Sequence, residues 1–202
     1  MSEWAAYRQE AFGDPYLVWH DGPDFTELRE RFAADPEQAS RMLAAGLAEG
    51  DALAAHAPRE LTLTPEQRDA FTRLLTEALP AANAGVRMEA GVSLFALTGS
   101  TDWSAPVVEV LAEPAVHWGI RLDAAIRLKA FPPTPELVVA VAAGVRDGEY
   151  LVRYHCATTL LRWAGRRGDI ADDAELFALV VDDAGPEGWA QAAQRLSAAV
   201  QA

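Results

Sequence analysis

The chain of 202 residues has 30 acidic against 17 Lys and Arg residues, a net charge of −13, and half of its residues (50%) are apolar. That apolar content can fill a sizeable core and excludes wholesale disorder. The charge argues against a general nucleic-acid binder, whose affinity comes from clustered Lys and Arg. The longest apolar run, over Leu137 to Val145, is far shorter than the roughly 20 residues of a membrane-spanning helix. A single cysteine, Cys156, makes neither an internal disulfide nor a cysteine-rich metal site.

Taken in chain order, residues 1–35 read as an N-terminal capping segment. Its opening Met1-Ser2-Glu3-Trp4 lacks the basic-then-apolar pattern of a secretory signal, so the expected location is cytoplasmic, with no membrane association. Trp4, Tyr7 and Phe12 are its apolar groups. The turn signals Gly13-Asp14-Pro15 and Asp21-Gly22-Pro23 leave Tyr16 to His20 as an extended stretch, and Asp24 to Phe32 forms an amphipathic helix. Residues 36–202 read as a run of helices continuous with that cap. Asp35-Pro36-Glu37 opens one through Leu43 and Leu47, and Gly50-Asp51 turns into a second from Leu53 to Ala57. Thr64-Pro65-Glu66-Gln67 combines an N-cap, a proline at the first helical position and an acid in the first turn, followed by Phe71, Leu74, Leu75 and Leu79 at helical spacing. Ser104 with Pro106, Thr134-Pro135-Glu136 and Asp172-Asp173 open further helices, and Gly188 to Val200 closes the chain as a polar-faced end cap. The total is roughly ten helices with short connections.

An internal repeat organises the middle. Val86-Arg87-Met88-Glu89-Ala90-Gly91-Val92-Ser93-Leu94 aligns with Ile120 to Leu128 and with Val152 to Leu160, at offsets of 34 and 32 residues. Each copy reads aliphatic, Arg, large apolar, polar, small, small, and ends on Leu. The first, fifth and ninth positions of that frame fall on one helical face and are expected to bury together. Cys156 shares the small-residue column with Ala90 and Ala124, which makes it a packing residue.

The aliphatic-Arg-x-x-Ala-x-x-x-Leu column, with the acids of Asp147-Gly148-Glu149 ahead of Val152-Arg153, resembles bacterial HEAT-like repeat proteins. Tyr150 to Ala157 is the most family-like stretch, and the likeness covers about residues 36–202. The resemblance implies an all-α superhelix of stacked antiparallel helix pairs. It implies a range of functions: partner-binding scaffolds, bilin-lyase-type subunits and a DNA-alkylation-repair branch.

Three sets of residues are candidates for function. Arg87, Arg121 and Arg153 form one column, either an ion-pair ladder between repeats or a positive strip for an acidic partner. Two positions on, Glu89, Asp123 and His155 share a column in which a histidine near carboxylates could act as a general base or bind a metal; the plain alternative is a solvated or hydrogen-bonded polar row. Trp118, Tyr150 and Trp163, with Arg127 and Arg162 nearby, sit at helix edges and either close gaps between repeats or form a binding hot spot. His20, His56 and His117 are isolated, so no metal site and no cofactor is expected.

The leading expectation is a monomeric or weakly dimeric scaffold that recognises a protein or peptide on its concave face, such as an immunity or regulatory protein for a basic enzyme. An enzyme using His155 with Asp123 or Glu89 is the alternative. A DNA glycosylase ranks third, because it needs a basic groove.

Overall fold

The structure is a computed structural model and describes residues 2–201. Among these the chain is all-α, with thirteen α-helices, a few single 3-10 turns and no strand. Packing divides it into two compact units, Met1–Ser100 and Thr101–Ala202.

The first unit contains α1 (Glu3–Phe12), α2 (Pro15–Asp21), α3 (Thr26–Ala34), α4 (Pro36–Ala48), α5 (Ala52–His56), α6 (Pro65–Ala78) and α7 (Ala84–Thr98). Its starts follow the capping chemistry of the sequence. Asp35 accepts from the Gln38 amide, Asn83 from that of Val86, and Thr64 forms a reciprocal capping box with Gln67. Residues 16–20, expected to be extended, are instead helical. Asp14 caps them by accepting from the Tyr16 amide at 2.8 Å, and Pro15 takes the first helical position, so the turn signal is also a helix start. Helices α1 and α3 pack on α4, and α7 packs on α5 and α6. At the α1–α4 crossing the Trp4 ring lies directly on Gly46, where a Cβ would sit 2.5 Å from the ring. The indole N–H donates to Asp51 at 3.0 Å, which also holds Arg8 at 2.6 Å.

The second unit contains α8 (Ser104–Ala112), α9 (Trp118–Leu128), α10 (Pro135–Gly144), α11 (Tyr150–Trp163), α12 (Ala174–Val180) and α13 (Gly185–Gln201). Consecutive helices pack as α8 on α9, α10 on α11 and α12 on α13, while α9 also packs on α11 and α8 on α10. The repeat frame sets the buried face. Val86, Ala90 and Leu94 in α7, Ala124 and Leu128 in α9, and Val152, Cys156 and Leu160 in α11 are all fully buried. Ile120 is only half-buried, two residues into α9. In α10, Gly144 lets the backbone close onto α11, since a Cβ there would overlap Cys156 Sγ. Burial pushes the Cys156 thiol well above its ordinary range, which leaves it un-ionised and inert.

Among the described residues no helix is long and apolar enough to cross a membrane.

Because Cys156 fills the space left by Gly144, a Gly144→Ala substitution is expected to lower unfolding stability by about 1–3 kcal/mol through overpacking. The same substitution in a Cys156→Ala background should be close to neutral. Urea denaturation of the four-member cycle measures the coupling.

Candidate functional site

Arg153 enters the interior of the second unit because the frame places it beside the buried Val152, one turn from the start of α11. It is fully buried at 0% exposure. Its Nε donates to the Val180 carbonyl at 3.0 Å, and Nη1 donates to the carbonyls of Asp147 at 2.8 Å and Gly148 at 2.9 Å. Nη2 is ion-paired with Asp182. The Trp189 ring covers the guanidinium at 3.9 Å, with the Tyr150 ring at 5.9 Å. The group so joins α11 to the turn before it and to the segment between α12 and α13, and it offers no charge to a partner.

Arg121 is ion-paired through Nη1 with Asp147, whose other oxygen accepts from the Glu149 amide at 2.9 Å. Its Nε is buried and meets no acceptor. Arg87 donates to the Ala82 carbonyl at 3.2 Å, just ahead of its own helix. One sequence column thus takes three environments.

The column of Glu89, Asp123 and His155 also diverges. Glu89, in the first unit, is buried and accepts from Arg59 at 2.6 Å, with His56 Nδ1 at 3.6 Å. Arg59 also donates to Ser93 Oγ at 3.2 Å, and Ser93 donates to the Ala55 carbonyl at 2.6 Å. Glu60 reaches His56 Nε2 at 3.3 Å and Arg29 at 2.9 Å. Neither His56 nor Arg59 stood out in the sequence. Their signal was the pair Glu89 and Ser93, polar residues one turn apart on a helix whose neighbouring positions are all buried. Asp123, in the second unit, is exposed. His155 is half-buried, and desolvation together with Lys129 lowers its pKa, partly countered by Asp169. Beside it Tyr154 is pushed up to about 12 by burial and by its hydrogen bond to Asp169.

Of the edge aromatics, Trp163 donates to the Phe131 carbonyl at 3.0 Å and ties the end of α11 to the loop after α9. Tyr150 packs against Tyr154, and Trp118 is 41% exposed beside His117. Arg162 is exposed and Arg127 half-buried. Among the described residues no three His, Cys, Asp or Glu side chains are grouped to hold a metal ion.

The first unit carries a cleft of about 430 Å³ formed by the end of α1, α2 and the start of α3. Phe12, Leu17 and Val18 supply apolar surface, and Glu10, Asp14, Asp21, Asp24 and Glu27 surround it. Arg31 is paired with both Glu10 and Glu27. Asp14 and Asp24 accept backbone amides, and hydrogen bonds from Thr26 hold the Asp24 carboxyl below its ordinary range.

No family model matches the sequence, and neither the curated proteins nor the solved structures give a match.

Removing Arg153 leaves Val180, Asp147 and Gly148 carbonyls without their donor, so Arg153→Ala is expected to cost about 3–5 kcal/mol in chemical denaturation. Asp182 is 75% exposed but is the carboxylate paired with a fully buried guanidinium, so Asp182→Asn should cost less than Arg153→Ala, about 1–3 kcal/mol. His155 has a depressed pKa in the folded state, so the unfolded chain takes up that proton first as pH falls below about 6.5. Stability should therefore drop through that window and level off once the folded histidine is protonated. Thermal unfolding at successive pH values should show this step flattened in His155→Gln.

Proposed function

We propose that the chain is a HEAT-like helical repeat protein that binds a basic protein partner through the acidic cleft of its first unit. The observation carrying this reading is the combination of that cleft's apolar lining with its ring of five carboxylates, only two of which share the Arg31 cation. Leu17 is 55% exposed and Tyr16 64% exposed on α2, so the acidic rim also presents apolar surface of the kind protein interfaces bury. A negative rim speeds encounter with a positive partner and disfavours acidic ones. The repeat reading is supported by the matched buried frame of α7, α9 and α11 and by the consecutive pairing of α8 to α13.

This moves recognition away from the arginine column, two members of which are held in internal ion pairs. A basic enzyme held in check by this protein, as an immunity or regulatory protein would do, is the partner class that fits the charge. An enzyme built on His155 has the neutral imidazole in its favour, but Asp123 is exposed and Glu89 is engaged by Arg59.

Purification of the tagged protein from its native cells at low salt should bring down a basic partner in stoichiometric amount. The double variant Glu10→Lys/Asp21→Lys alters exposed rim positions that cap no helix, and should weaken that complex about tenfold or more and flatten its salt dependence. Absence of any partner, or an acidic partner indifferent to these charges, would count against the proposal.

A further inference from the structure

Helix α2 is held differently from the other helices of the first unit. It runs for seven residues, and none of its described side chains is buried, with Tyr16 64% and Leu17 55% exposed. A helix of that length does not stand alone in water. Its start travels with it, because Asp14 accepts from the Tyr16 amide through its side chain and from the Val18 amide, at 3.0 Å, through its carbonyl. Gly13 and Gly22 bracket the segment, with φ of 82° and 85° and ψ of −162° and 166°, a combination essentially confined to glycine. Among the described residues, nothing beyond the chain neighbours lies within 4 Å of where a Cβ would stand at either one. Backbone conformation therefore requires glycine at both, whereas close packing requires it at Gly46 and Gly144.

The aromatic core beside α2 is built from other segments. Phe12 meets Trp4 and Phe25 edge-on, at 6.2 and 5.6 Å, and Trp4 is seated on Gly46 of α4. The acidic cleft, in contrast, depends on α2, which lines it with Leu17, Val18 and Asp21 opposite Phe12 of α1 and Glu27 of α3. We propose that residues 14–21 are a strap that folds onto and off the first unit between Gly13 and Gly22, and that the acidic cleft exists only while the strap is folded on. A ligand of the cleft then binds only chains with the strap on, so its apparent affinity scales with their fraction. The role in recognition rests on the basic-partner reading above; the motion does not.

Relaxation dispersion on the full chain, with no partner added, reads such exchange in the microsecond-to-millisecond range. The amides of residues 16–21 and the Leu17 and Val18 methyls should report one common process, with a coil-like minor state of about 1–10%. The Glu27 amide, across the cleft, should report the same rate, while the amides of α4 stay flat. Gly13→Ala with Gly22→Ala penalises only the folded-on backbone, and each substitution should raise the ratio of strap-off to strap-on chains about tenfold or more. The Leu17 and Val18 peaks should then move along the line towards their minor-state shifts, with the peaks of α4 and α7 in place. The proposal is overturned by flat dispersion in the strap, by strap exchange that Glu27 does not share, or by unmoved peaks in the glycine variant. Loss of peaks throughout the first unit of that variant would also overturn it, since α2 would then belong to the cooperative core. A static α2 in a chain that captures a basic partner sinks the strap alone, and a mobile strap in a chain that captures none sinks the partner reading alone.

Discussion

A cation removed from water must recover its lost hydration from fixed acceptors, and in the second unit that requirement falls on Arg153. Its guanidinium has no exposed surface, and three carbonyls, one carboxylate and an aromatic face surround it. Those groups come from the turn preceding α11, from the end of α12 and the residues after it, and from α13, so they must arrive together for the charge to be tolerated. Satisfying one side chain therefore sets the approach of the last helix pair to α11. The buried apolar frame of Val152, Cys156 and Leu160 supplies most of the driving force but little of this directionality.

The first unit solves a similar problem by another route. Glu89 is buried, and Arg59 and His56 converge on it from the short segment that includes α5, with Ser93 completing the connection to the backbone of that segment. Here the charge pair lies among short elements and ends in half-exposed groups, Glu60 and Arg29. Both units thus use a buried charged group, Glu89 in one and Arg153 in the other, to orient helices whose apolar faces, rich in Ala, Val and Leu, would pack in many rotations. Both also keep Gly where two elements touch most closely, Gly46 under Trp4 and Gly144 against Cys156.

How much of this was readable from residues alone depends on range. The frame shared by residues 86–94, 120–128 and 152–160 identified three helices and their buried faces, because helical periodicity is a local property. The Asp and Thr caps marked starts for the same reason. Tyr16 to His20 misled, because Gly13-Asp14-Pro15 is equally a turn and a capped helix start, and only the Asp14 side chain accepting from Tyr16 decides between them. His56 looked isolated because Glu89, Glu60 and Phe25, whose ring lies 4.5 Å away, reach it through tertiary packing. The arginine column was visible as a column, but burial, which separates a ladder from a surface strip, depends on what the following helix pair brings over each arginine.

That last dependence explains why equivalent positions end up unlike. Arg121 and Arg153 stand at the same place in α9 and α11, and each finds an acid from the segment that links the two helices of the next pair, Asp147 between α10 and α11 and Asp182 between α12 and α13. Beyond the acid they part. Over Arg153 the chain adds the Val180 carbonyl and the Trp189 ring, closing every approach. Over Arg121 the small residues Ala140, Ala143 and Gly144 of α10 leave an apolar recess beside a guanidinium whose Nε is unmatched. A repeat position that closes fully over its arginine leaves no recess, and one that closes only in part leaves an apolar recess beside the Arg121–Asp147 pair. The difference between the two arginines is then set by the size of a few side chains on the adjacent helix, with the repeat frame itself unchanged.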